Sequence, residues 1–309
     1  MTHQPEQVRI LLTGSTGQVG VELLQTLAPL GVVYSPGRAR LDMADAASVR
    51  AAIREVRPRW IVNPAAYTAV DKAESEPELA YAVNRDAVWA MGEEACRIGA
   101  AVIHFSTDYV FDGKGTTPYV ETDATGPMSV YGASKLAGEQ ALAETGAAHF
   151  VFRTSWVYGT RGKNFLLTIL KLARERELLR VVGDQHGAPT WSRELAEMTA
   201  AVLGRCEASA CGGPLEELLR EGGGGSPVFH AAGAGETTWY GFAVEAVRLM
   251  QERNPEVRFA EIESITTAEY PTPARRPGNS RMNCNKLSER LGWRMMDWKD
   301  ALREVVSEL

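Results

Sequence analysis

The sequence predicts an α/β fold, with a doubly wound parallel sheet in the first half and a smaller C-terminal α/β lobe after it. Three observations carry this expectation. Short β-rich runs alternate with helical patterns as far as Ser155, the mark of βαβ units. A glycine-rich turn directly follows the first of those runs. The 309 residues, 45% of them hydrophobic, can bury one large core and a lobe beside it.

The elements follow in order. Val8 to Leu12 reads as a buried strand, and Gly17 to Leu27 as a helix with Val19, Leu23, Leu24 and Leu27 turned inward. Val32 to Tyr34 is a second strand. A helix from about Ala46 ends before Pro58, whose ring disfavours helical geometry in the preceding residue. Trp60 to Asn63 is the third strand, Leu79 to Arg97 a long helix, and Ala101 to Ser106 the fourth strand. Tyr131 to Glu144 is helical and His149 to Arg153 forms the next strand. Beyond Ser155 the alternation loosens. Helices are expected at Asn164–Glu177, Ser192–Leu203, Thr238–Arg253 and Asp297–Leu309, with strands at Leu179–Val182, Val228–His230 and Glu261–Ile265. The division is residues 1–155 for the first domain, with later segments returning to it, and 156–309 mainly for the lobe. A Gly-rich insertion near 212–227 breaks the lobe without marking a boundary.

Composition excludes several classes. With 33 basic against 39 acidic side chains the net charge is −6, which does not suit a nucleic-acid binder. Met1 to Gln7 is polar and carries no secretory signal, and no apolar run is long enough to span a membrane. Cys96, Cys206, Cys211 and Cys284 lack the His/Cys partners of a zinc site and read as free thiols in a reducing cytoplasm.

Thr13-Gly14-Ser15-Thr16-Gly17-Gln18-Val19-Gly20 joins the first strand to the first helix. Glycines here let the backbone approach a pyrophosphate, which the free N–H groups of the helix N-terminus can hold. The spacing is G-x-x-G-x-x-G, a variant of the dinucleotide fingerprint, and the position makes the sheet Rossmann-type. After the second strand no acid precedes Asp42, whereas Arg38 and Arg40 suit a 2′-phosphate. NADPH is therefore the expected cofactor, with NADH as an alternative. Asp42 and Met43 follow in the same loop.

Tyr131 and Lys135 stand four apart, on one face of a helix. A free phenol titrates near pH ~10, and a neighbouring ammonium is expected to bring it towards the working range. Reduction of a ketone needs such a proton donor where charge develops on oxygen. Ser106-Thr107-Asp108 closes the fourth strand at the edge where open α/β sheets bind ligands, and the Thr107 hydroxyl can donate to a developing alkoxide. Asn63-Pro64-Ala65-Ala66 closes the third strand at the same edge, with small residues that let a cofactor pass.

With those motifs placed, the chain resembles the dTDP-4-dehydrorhamnose reductase family of extended short-chain dehydrogenases. The resemblance rests on Gly14/Gly17/Gly20, on Asn63 through Tyr67-Thr68-Ala69-Val70-Asp71-Lys72-Ala73-Glu74, on Ser106-Thr107-Asp108-Tyr109-Val110-Phe111 and on Tyr131-x-x-x-Lys135. It extends through Arg153-Thr154-Ser155-Trp156-Val157-Tyr158 and Gly187-Ala188-Pro189-Thr190 to Arg275-Arg276-Pro277-Gly278-Asn279-Ser280. It implies NADPH-dependent reduction of the 4-keto group of dTDP-6-deoxy-L-lyxo-4-hexulose to dTDP-L-rhamnose. By position, Thr107 would polarise the ketone, Tyr131 give the proton, and Lys135 hold the cofactor ribose and tune Tyr131. Gly14, Thr16, Gly17, Gln18, Val19, Gly20, Arg38, Asp42, Met43, Asn63, Ala65, Ala66, Tyr67 and Ser106 would complete the cofactor site. Thr68, Val70, Asp108, Tyr109 and Trp156 would line the sugar pocket, and Arg276 would take the pyrophosphate.

Of two departures, Pro64 in place of a small residue stiffens its loop, and the Gly-rich insertion is peripheral. A third concerns metal. Some relatives are dimers joined through Mg²⁺ on glutamates; here only Glu22 matches, with Arg193 and Lys299 at the other two positions. The expectation is a metal-independent enzyme, a monomer or weak dimer, in which cations form salt bridges to Glu22. Two rivals share the fold: a nucleotide-sugar epimerase or 4,6-dehydratase, and a non-catalytic nucleotide-binding subunit. Asp108-Tyr109 after Thr107, in place of Asp-Glu, leaves a dehydratase's acid–base pair incomplete, and the intact Thr107/Tyr131/Lys135 set argues against a non-catalytic role.

Overall fold

A computed structural model describes residues 7–208 and 226–309. The start before Gln7, Cys211 and the Gly-rich run as far as Gly225 lie outside the described residues.

Six parallel strands form the central sheet: β1 (Arg9–Leu12), β2 (Val32–Tyr34), β3 (Trp60–Asn63), β4 (Ala101–Thr107), β5 (Ala148–Thr154) and a strand from the second half, Val228–His230. Their order across the sheet is β2-β1-β3-β4-β5 and then Val228–His230. The chain leaves β1 in one direction to reach β2 and in the other to reach β3. That reversal opens a crevice at the carboxyl ends of β1 and β3. Neighbouring side chains on a strand point to opposite faces, and both faces are covered. Ile10, Leu12, Trp60 and Val62 pack in one layer, with Leu195, Met198 and Leu203 of the Ser192–Ala208 helix. Leu11 and Ile61 pack in the other, with Val49, Ile53, Val88 and Met91. The near-continuous apolar runs of the central strands reflect this double burial.

The first helices are α1 (Gln18–Leu27) and α2 (Ala46–Val56). Asp45 caps α2 by accepting from the Ala47 amide, and the chain turns out of it at Arg57 with φ 46°. After a short α3 (Val70–Ala73), the single helix expected from Leu79 to Arg97 is instead α4 (Pro77–Tyr81), then a wide π turn over Ala82–Asp86, then α5 (Ala87–Ile98). Asn84 sits in that π turn and explains it. Its Oδ1 accepts from the Tyr67 amide at 2.8 Å, and its Nδ2 donates to the Tyr67 carbonyl at 3.2 Å and to Ser134 Oγ at 3.0 Å. The extra residue turns Asn84 inward to fasten the loop after β3 to α6 (Val130–Glu144).

The lobe is built from α7 (Phe165–Glu175) and the Trp239–Arg253 and Trp298–Ser307 helices. Their core includes Tyr158, Leu166, Trp191, Phe242, Trp298 and Leu302. Leu178–Val182 and Glu261–Ile265 pair in parallel beside it. Four two-residue strands went unpredicted, pairing Val157–Tyr158 with Thr190–Trp191 and His186–Gly187 with Thr237–Thr238. Two residues are too few to show a period of two. The Asn285–Leu291 helix was also missed, although Leu287 and Leu291 bury its inner face.

Candidate active site

Gly14 starts the cradle. Its φ is +55°, and a Cβ there would stand 2.9 Å from Ala65 Cα, so the position requires glycine on two counts. This close approach brings the ends of β1 and β3 together. A Cβ on Gly20 would fall 2.0 Å from the Gly14 carbonyl oxygen, so the third glycine lets the helix pack under the turn. Gly17 is the N-cap of α1 and makes no side-chain cap, which leaves the first-turn amides of the helix open to an anion. Gly14 and Thr16 are exposed beside it. The Gln18 side chain is engaged with the lobe, its Oε1 accepting from Asn164 at 3.0 Å. Val19 packs against the core. The cradle fits a dinucleotide pyrophosphate.

In the loop after β2, Arg38 is 82% exposed and lies 3.7 Å from Asp42, while Arg40 reaches Glu55 at 3.4 Å. Asp42 also accepts from the Ala44 amide at 3.0 Å, and Met43 packs against the core. Arg38 is thus available to a 2′-phosphate, at the expense of a weak surface pair.

Thr107 ends β4, and Tyr131 opens the second residue of α6 behind it. Ser129 caps that helix by accepting from the Gly132 amide at 3.2 Å, which sets where Tyr131 points. Burial pushes the Tyr131 phenol up to about 12, with the nearby Thr107 hydroxyl opposing the shift. Thr107 Oγ1 lies 3.0 Å from Asp108 Oδ1 and accepts from the Tyr109 amide at 3.2 Å. Ser280 donates to the other Asp108 oxygen. Burial lifts the Asp108 carboxyl to about 6, with Ser280 and Thr107 opposing the shift.

The expected tuning of Tyr131 by Lys135 is not the arrangement in the structure. Lys135 is 2% exposed, and its Nζ donates to the Phe105 carbonyl at 2.6 Å, with His104 Nε2 at 3.2 Å. The i,i+4 spacing puts both side chains on one helix face, but the long lysine stem turns inward onto β4. Burial lowers Lys135 to about 8.

Two further expectations change. Asn63 is fully buried, with Oδ1 accepting from Thr13 Oγ1 at 2.5 Å and Nδ2 3.0 Å from His104 Nδ1, so its side chain braces the crevice from behind. Ser106 donates to Glu139 on α6, and Glu139 is ion-paired with Arg153 at 2.7 Å in the interior. Both residues were placed at the correct strand ends, yet their side chains turn away from the cofactor edge. Ala65, Ala66 and Tyr67 remain half-buried along that edge, with the Tyr67 hydroxyl donating to Glu76 at 2.6 Å.

Beside this centre lies a cleft of about 740 Å³ whose lining includes Val70, Tyr109, Phe165, Gln185, Trp239 and Arg276. Tyr109, in the lining of this cleft, meets Tyr131 edge-on at 5.5 Å. Arg276 Nη2 is held by Asp71 at 2.8 Å, while its Nη1 is buried with no partner. An unpaired guanidinium N–H is costly to bury and fits an anionic ligand group. Trp156 stacks on Trp239 at 3.7 Å, with a left-handed φ of 48° rare for a bulky residue. Thr68 is exposed. Trp239, Phe165 and Gln185 went unpredicted, and nothing local marks them because the lobe brings them in from distant segments. Asp71 lay inside a motif already singled out.

Glu22, expected to face cations, accepts from Arg193 at 3.2 Å, and Arg193 also pairs with Glu308. Lys299 lies instead over the Trp298 ring at 5.6 Å. Among the described residues, no cluster of three or more His, Cys, Asp and Glu could hold a metal. None of their helices is long and apolar enough to cross a membrane.

A glycine cradle at the reversal of a parallel sheet, opposite a threonine–tyrosine pair and a buried lysine, defines a Rossmann-type oxidoreductase. Residues 8–309 match the family model described as the RmlD substrate binding domain. A dTDP-4-dehydrorhamnose reductase of Escherichia coli K12 is 44% identical over 307 residues, 98% of each chain. One from Burkholderia thailandensis is 43% identical over 305 residues, covering 98% of this chain and 99% of its own. Among solved structures, the Bacillus anthracis dTDP-4-dehydrorhamnose reductase in complex with NADP superposes with a TM-score of 0.85 at 31% identity. That match covers 98% of this chain and all of the other. The chain belongs to the dTDP-4-dehydrorhamnose reductase family.

Proposed function

We propose that this chain reduces the 4-keto group of dTDP-6-deoxy-L-lyxo-4-hexulose to dTDP-L-rhamnose with NADPH. The observation that carries the reading is the buried Tyr131 phenol near Thr107, edge-on to Tyr109 of the cleft that reaches Arg276. Bound NADPH supplies the hydride to the sugar's C4. Tyr131 delivers a proton to O4, and because burial keeps its phenol protonated at neutral pH it is loaded as a donor. Thr107 shares the developing charge through its hydroxyl. Asp108 and Ser280 orient Thr107, and Tyr109 and Val70 wall the sugar subsite. Arg276, fixed by Asp71, offers its free Nη1 to the pyrophosphate. Ala65, Ala66 and the first-turn amides of α1 hold the cofactor, with Arg38 at its 2′-phosphate.

In this assignment residues 1–155, the Ser192–Ala208 helix and the Val228–His230 strand serve the cofactor. The remainder of 156–309 serves mainly the substrate. The enzyme acts in the cytoplasm as a monomer or weak dimer and needs no metal. The test is NADPH oxidation over a panel of dTDP-, GDP- and UDP-linked 4-keto sugars. Turnover confined to the dTDP-linked 6-deoxy-4-keto sugar is the expected result. No turnover of any member overturns the reading, and preference for another nucleotide replaces its substrate.

A further inference from the structure

Between the cofactor cradle and the cleft runs a short strap, residues 159–164, whose last member is bonded to both sides. Asn164 is the N-cap of α7, its Oδ1 accepting from the Leu167 amide at 2.9 Å. Its Nδ2 faces the other way. It donates to Gln18 Oε1 at 3.0 Å and to the Gly159 and Arg161 carbonyls at 3.0 and 3.2 Å. Backbone groups fix this orientation, since a peptide N–H cannot accept and a carbonyl oxygen cannot donate. The Gln18 amide is oriented in turn, with Nε2 donating to the Val157 carbonyl at 3.4 Å. Gly162, at φ +75°, lets the strap lie against Gln18: a Cβ there would stand 3.2 Å from Gln18 Cγ.

Both ends of this link are functional surfaces. Gln18 is the first residue of α1, next to Gly17, and belongs to the turn whose amides face the pyrophosphate. On the other side α7 forms a wall of the cleft, where Phe165, Thr168, Ile169 and Leu172 recur at helical spacing. The proposed chemistry leaves Asn164 unused.

We propose that Asn164 is a positioning residue that couples the two sites: it ties the cradle to the cleft wall, so that a dinucleotide in the cradle strengthens binding of the nucleotide sugar in the cleft. The physical cause is ordering. A pyrophosphate on the first-turn amides restrains the start of α1 and with it the Gln18 side chain. Gln18 then holds Asn164 in its cap geometry, and the capped Leu167 amide keeps the first turn of α7, with Phe165, in place. With the cradle empty, the exposed strap residues Arg161, Gly162 and Lys163 keep more freedom, and the sugar bears the cost of ordering them. By reciprocity the sugar raises cofactor affinity by the same factor. The inference rests on the assignment of the cradle to NADPH and of the cleft to the nucleotide sugar.

The test is calorimetric. The Kd of dTDP-L-rhamnose is measured for the enzyme alone and for the enzyme saturated with 2′-phospho-ADP-ribose. That probe carries the cofactor's pyrophosphate but has no nicotinamide ring to pack on the sugar. Wild type should bind the product at least about fivefold tighter with the probe present. Asn164→Asp keeps the cap, because a carboxylate accepts from Leu167, but it cannot donate to Gln18. Gln18→Met leaves the cap and the stem and removes the acceptor. In both variants the ratio should fall below about twofold. A ratio near one in wild type overturns the proposal. So does a wild-type ratio retained in either variant, even where both affinities drop together, which is a structural effect only. Independently of the variants, hydrogen exchange at the Leu167 and Thr168 amides of wild type should slow when the probe is added, since both bond to Asn164. Unchanged exchange there also overturns the proposal. Failure of wild type to bind either ligand would instead defeat the functional reading itself.

Discussion

Replacing Tyr131 by Phe removes one oxygen from the centre and little else. The ring is 9% exposed and packs edge-on against Tyr109 at 5.5 Å, a contact that Phe keeps. The structural loss is at most one hydroxyl's polar contact, about 1 kcal/mol, and Thr107 keeps Asp108 as its partner at 3.0 Å. The chemical loss is a positioned proton donor, worth about 10²–10⁴ in rate, or about 2.7–5.4 kcal/mol of barrier. The two effects differ enough to be separated. Steady-state NADPH oxidation with the dTDP-4-keto sugar should show kcat lowered at least about 100-fold. The NADPH dissociation constant and the unfolding midpoint should remain close to wild type. A variant that keeps more than about a tenth of wild-type kcat would refute the assignment of Tyr131 as proton donor.

Other changes probe other layers. Arg38→Ala combined with Arg40→Ala should erode the preference for NADPH over NADH, compared as kcat/KM for each cofactor; an unchanged ratio shows that neither arginine reads the 2′-phosphate. Arg153→Met strands the Glu139 carboxylate, which is 6% exposed, beside Ser106 and should cost about 3–5 kcal/mol in urea unfolding. A loss under about 1 kcal/mol would mean that Glu139 finds another partner. Chelator-treated enzyme should keep full activity and its elution volume in size exclusion, since Arg193 already occupies Glu22. A loss restored by Mg²⁺ would reverse that expectation.

The chain's local rules were enough to place most of its elements. Strand alternation, the restriction before Pro58 and the glycine turn depend on backbone sterics within a few residues, and the central strands appear within a residue or two of where they were expected. Gly14 was legible for the same reason, since a turn between strand and helix needs its conformation wherever the rest of the chain goes. Tyr131 and Lys135 were legible as a pair because four residues return a helix to the same face. Where Lys135 sends its amine was not, because that depends on His104 and the Phe105 carbonyl of a neighbouring layer. Asn63 and Ser106 show the same limit. Alternation says that successive side chains face opposite sides of the sheet, but only the packing of α6 and β3 decides which side is interior and which is cleft. The π turn at Asn84, the Asp71–Arg276 pair and the Trp156–Trp239 stack each join segments far apart in sequence. No local period encodes such contacts; they form when loop closure brings the lobe onto the sheet and burial makes unpaired polar groups and exposed rings costly.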